Sequence, residues 1–88
     1  MKIWKYTLKD LTTQIVRMPM KSEILDIQMQ DGKPTIWAMV DPNSLEIEVK
    51  INRYGTGNEI ECNDSQDEYL ATLQDDGYVW HFFMNYES

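Results

Sequence analysis

Eighty-eight residues with a formal charge of −7, one cysteine and one histidine specify one small domain built on a single core. The lone cysteine excludes an intramolecular disulfide and a cysteine-built zinc site. The acidic balance disfavours plain nucleic-acid binding, because the chain repels the phosphate backbone. No apolar run approaches the ~20 residues of a membrane-spanning helix. The start, MKIWKYTLKD, lacks the apolar stretch of a secretion signal, so the expected compartment is a reducing cytoplasm. The charge is lopsided. Residues 1–44 hold six Lys/Arg against five Asp/Glu, or +1, and residues 45–88 hold two against ten, or −8.

Lys2 to Leu8 reads as the first strand, with Trp4, Tyr6 and Leu8 on one face. Thr12 to Met18 returns as the second, and Pro19 closes it, since proline cannot donate to the ladder. Glu23 to Gln30 is the third, with Leu25, Ile27 and Met29 expected to face inward. Asp31-Gly32 is a strong hairpin signal, because the favoured two-residue turn wants positive φ at both central positions. Pro34 to Val40 comes back apolar on both faces, as a central strand does. Asp41-Pro42-Asn43-Ser44 is a turn in which proline presets φ and Asp41 caps its own backbone.

From Leu45 to Tyr54 the alternation is strict: Leu45, Ile47, Val49 and Ile51 one way, Glu46, Glu48, Lys50 and Asn52 the other. That period of two marks a half-buried strand. Gly55-Thr56-Gly57 breaks it, and Glu59 to Cys62 reads as a brief edge strand. Glu68 to Gln74 follows, with Tyr69, Ala71 and Leu73 on one face. Asp75-Asp76-Gly77 turns the chain into Tyr78–Tyr86, which is apolar on both faces and needs a cover on each. The three tryptophans, Trp4, Trp37 and Trp80, fall in three strands and are expected to meet in one core or interface. The expectation is an all-β, single-domain chain over 1–88. It is a mostly antiparallel curled sheet, small barrel or sandwich of six to eight short strands.

The blocks IWKYTL, WAMVDP (Trp37–Pro42), RYGTG (Arg53–Gly57), YLATLQ (Tyr69–Gln74) and VWHFF (Val79–Phe83) resemble a small family of unknown function carried by tailed phages and prophages. The resemblance runs along nearly the whole chain, in the same order. It departs at Ala71, where the family tends to glycine, and at Lys21-Ser22, where the family has a Gly-Ala pair. It implies a phage accessory protein in an infected bacterial cytoplasm, and it supplies no catalytic residues.

The residues themselves show no catalytic machinery. His81 is the sole histidine and reads as a packed or hydrogen-bonded residue; Cys62 is its one thiol partner, and no Gly-x-Ser-x-Gly elbow exists. The chain is therefore expected not to be an enzyme and to need no cofactor or metal. Asp64, Asp67, Glu68, Asp75 and Asp76 lack calcium-loop spacing and read as a solvated rim. Two surfaces remain. Glu46, Glu48, Glu59 and Glu61 form a candidate acidic face for a basic host protein, since carboxylates at i and i+2 stand roughly 7 Å apart, near the spacing of phosphates. Arg53, Tyr54, Gly55, Thr56 and Gly57 form a candidate anion or nucleotide site, although a positive-φ loop explains the glycines equally. The leading expectation is an inhibitor of a host defence protein. The alternatives are a sponge for a small nucleotide signal and a virion-associated structural protein. A homo-oligomer, most simply a dimer, is expected to cover the apolar last strand.

Overall fold

A computed structural model describes residues 1–60 and 67–86. They form seven strands: β1 (Lys2–Thr7), β2 (Thr13–Pro19), β3 (Glu23–Gln30), β4 (Lys33–Val40), β5 (Glu46–Gly55), β6 (Glu68–Asp75) and β7 (Tyr78–Tyr86). The order is β1-β4-β3 in one sheet and β2-β5-β7-β6 in the other. Every pairing is antiparallel. The sheets pack with β3 over β6 and do not close into a barrel, so the all-β expectation resolves to an open two-sheet sandwich.

Alternation builds the core. Ile36, Ala38 and Val40 on β4 face Val49 and Ile51 on β5 and Phe82 and Met84 on β7, all buried, with Leu8, Met18 and Ile27 filling the ends. Each large side chain stabilises the fold by about 1.5–3 kcal/mol. The hairpins obey their turn chemistry: Asp31 and Gly32 lie at φ 52° and 78°, Asp76 and Gly77 at 51° and 92°. These left-handed values suit a two-residue primed turn. In the Asp41 turn, Oδ1 accepts from the Asn43 amide at 3.1 Å, and the Asp41 carbonyl accepts from Ser44 N at 3.0 Å.

Several expectations need correcting. Leu45 lies outside β5 and is 77% exposed, so the inward series starts at Ile47. Asn52 is buried: it receives the Thr13 hydroxyl at 2.7 Å and stands in register with Phe83. Pro19 does close β2, as the last residue of the strand, and pairs there with Glu46. A register shift between Ile24 and Asp26 leaves Leu25 as an exposed bulge, and Ile24 takes its place against the core. A second shift between Tyr69 and Ala71 makes Leu70 the extra residue, here partly buried against the core. It puts Tyr69 beside Phe83 on the outer face and Ala71 beside Phe82 on the inner one. One extra residue flips every side chain beyond it. Glu59 and Ile60 are not in a strand; Glu61 and Cys62 lie outside the described residues.

The tryptophans do not converge. Trp4 pairs with buried Ala38 on the inner side of its sheet, Trp37 pairs with Lys5 on the outer side, and Trp80 belongs to the other sheet. The last strand finds both covers within the chain. Phe82 and Met84 enter the core. On the outer face, Phe83 is met edge-on by Tyr54 at 6.0 Å and by Tyr69 at 5.6 Å between ring centroids.

Candidate ligand cleft at the Gly55 loop

β5 and β7 run antiparallel with Gly55 opposite Trp80. The loop after β5 therefore lies beside the Asp76-Gly77 turn. Thr56 N donates to the Val79 carbonyl at 3.2 Å, and Asn58 N donates back to the Gly55 carbonyl at 3.0 Å. Between loop and turn lies a cavity of about 350 Å³, lined by Gly55, Thr56, Asn58, Gly77, Tyr78, Val79 and Trp80. Gly55 makes room for it: a Cβ there would come within 3.0 Å of the Asn58 side-chain nitrogen and 3.8 Å of the indole.

Arg53 stands behind this wall. Its guanidinium carbon lies 3.9 Å from the centroid of a Trp80 ring, a cation–π contact. Its Nη1 lies 3.7 Å from Asp10 Oδ1, and the Arg53 side chain is only 11% exposed. Arg53 Nε is buried without a hydrogen-bond partner among the described residues. Tyr78 stacks near Trp80 at 6.1 Å and 19°, and is 67% exposed. The cleft thus combines two aromatic rings and backbone groups, with Arg53 packed behind the indole.

The candidate loop residues divide. Gly55 and Thr56 line the cleft, and Gly57 sits beside them at φ +90°. Arg53 supports the indole from the inner face, whereas Tyr54, its neighbour, points outward to Phe83. Alternation along a strand sends adjacent residues to opposite faces, so these two do not share a site. Trp80, Tyr78, Asn58 and Gly77 join the cleft with no local sequence signal for it. Only the β5–β7 register brings them to Gly55, and single-strand periodicity does not carry that register.

His81 occupies the outer face. Its Nε2 lies 2.7 Å from Thr56 Oγ1 and its Nδ1 2.9 Å from Thr72 Oγ1. Thr72 continues to the Tyr69 hydroxyl at 2.7 Å. Both ring nitrogens are engaged by hydroxyls, in keeping with a hydrogen-bonded residue, and the chain of bonds ties the Gly55 loop to β6. Of the candidate acidic face, Glu46 and Glu48 lie together on β5, and both reach Arg17. Glu46 Oε1 is 3.7 Å from Arg17 Nε, and Glu48 Oε2 is 3.0 Å from Nη1. Glu59 is exposed, away from that strand, and Glu61 is outside the described residues. Among the described residues no group of three or more His, Cys, Asp or Glu is placed to hold a metal. Among the described residues no helix is long and apolar enough to cross a membrane.

A family comparison matches the domain of unknown function DUF7352 over residues 1–88. The chain belongs to the DUF7352 family. Comparison with curated proteins and with solved structures finds no match.

Proposed function

We propose that this DUF7352 protein acts by binding and not by turnover, and that it takes a small ligand with a flat ring into the Gly55–Trp80 cleft. The carrying observation is the cavity itself, about 350 Å³ walled by Tyr78 and Trp80 and rimmed by Gly55 and Gly77. Its volume falls at the lower end of the roughly 300–1,000 Å³ of small-molecule sites. Tyr78 offers a stacking surface worth about 1–3 kcal/mol to a base-like ring. The Thr56 and Asn58 amides already donate within the chain, so the Asn58 side chain is a polar group the lining offers a ligand. A nucleotide-like signal held this way is sequestered, not altered.

The test is heteronuclear NMR with purines, nucleosides, mononucleotides and cyclic dinucleotides. One class should shift the Trp80 indole N–H and the Gly55 and Thr56 amides, and Tyr78→Ala should weaken it at least tenfold. A panel that leaves those signals in place counts against the reading.

A second reading keeps the chain as a phage accessory protein that inhibits a host defence protein. It is supported by the −8 of the second half and by Glu46 and Glu48 lying exposed side by side. The Arg17 bridges weaken it, since they already answer both carboxylates. Reversing Glu46 and Glu48 to lysine should abolish capture of a basic host protein and leave the cleft unaffected.

A further inference from the structure

Four strands lie at sheet edges: β1 and β3 in one sheet, β2 and β6 in the other. An edge strand offers unpaired backbone donors and acceptors to any extended chain, and proteins blunt such edges with bulges, prolines or charges. Three of the four carry a bulge or a proline. β3 bulges at Leu25, where the Asp26 carboxylate also takes the Ile27 amide at 2.8 Å. β6 bulges at Leu70. β2 ends in Pro19, and its Arg17 is held by Glu46 and Glu48.

β1 has neither a bulge nor a proline, and its edge is guarded by lysines alone. Its register with β4 is unbroken from Lys2↔Val40 to Thr7↔Thr35, and it contains no proline. It presents Ile3 at 61% and Trp4 at 38% exposure. Its only charges are Lys2 and Lys5, in a protein of net −7. Lys2 is exposed; the Lys5 ammonium reaches Gln30 Oε1 at 3.0 Å, a neutral partner that leaves its charge unanswered.

We propose that β1 is a docking edge for an extended acidic peptide segment of another protein, added as a fourth strand to the β1-β4-β3 sheet. Main-chain hydrogen bonds supply the attachment, and side chains beside Ile3 and Trp4 supply specificity. The lysines select the sign. A basic strand, or a second β1 laid antiparallel, brings ammonium against ammonium, while an acidic strand forms opposite-charge pairs across the new ladder. This surface involves neither the Gly55 cleft nor the Glu46–Glu48 pair, so its fate is independent of theirs.

The test uses three synthetic octapeptides: glutamate alternating with valine and threonine, the same with lysine for every glutamate, and the acidic peptide N-methylated at alternate amides. Amide NMR should show the first perturbing residues 2–7, with at least tenfold weaker binding by the other two. Lys2→Glu with Lys5→Glu should transfer the preference to the lysine peptide, and Lys5→Glu alone should move it partway if the double variant folds poorly. No perturbation of residues 2–7 by the acidic peptide at millimolar concentration overturns the proposal. So does equal binding of the N-methylated peptide, or a dimer whose β1 amides are already protected from exchange without peptide.

Discussion

The Tyr6 hydroxyl is buried without a hydrogen-bond partner among the described residues. Burial first, and the negative charge of Glu46 second, raise the phenol above its ordinary value of 10.0. The folded chain then holds this proton more tightly than the unfolded one. The unfolded state ionises first, so stability is intact below pH 10 and falls as the pH rises past it. An unpaired buried hydroxyl costs about 1–3 kcal/mol. Tyr6→Phe should therefore gain about 1 kcal/mol at neutral pH and lose less above pH 10. Urea unfolding at both pH values checks this; a loss of stability at neutral pH would mean that the hydroxyl has a partner. Lys21 is a second residue at odds with its backbone, at φ 64°. Glycine would take that left-handed backbone without strain.

At the level of elements, each strand with a regular alternation was legible, because burial on one face leaves a period of two in the sequence. Both Asp-Gly hairpins were legible for the same local reason. The bulges were not. In ILDI, Ile24, Leu25 and Ile27 are all apolar, and nothing local says which is the extra one. Pairing with β4 decides it, leaving Leu25 at 45% and Ile27 at 1% exposure. Leu25→Lys should therefore change stability by less than about 0.5 kcal/mol, while Ile27→Ala should cost about 2–5 kcal/mol. Chemical denaturation of the two variants decides the register, since an inward Leu25 reverses the order. The candidate cleft was half legible by the same logic. Gly55 and Thr56 announce a loop, but Trp80 and Tyr78 join it through a pairing between strands far apart in sequence.

For the whole molecule the governing quantity is charge. A chain of 88 residues at −7 works against its own compaction, because like charges are drawn together on folding. The described ion pairs offset little of this. Arg17 with Glu46 and Glu48 is more than half exposed at every partner, and such pairs are worth about 0–1 kcal/mol. Salt screens both effects, and the long-range repulsion involves more charges than the pairs do. Raising the ionic strength from about 0.01 M to 0.1 M shortens the screening length from ~30 Å to ~10 Å, and the chain's radius of gyration is 12.9 Å. Repulsion across the molecule is felt at the first value and largely removed at the second. Stability should therefore rise with salt, by on the order of 1 kcal/mol. Unfolding by urea, a neutral denaturant, at several salt concentrations reads this effect. A stability that falls with salt would show that local ion pairs outweigh the net charge.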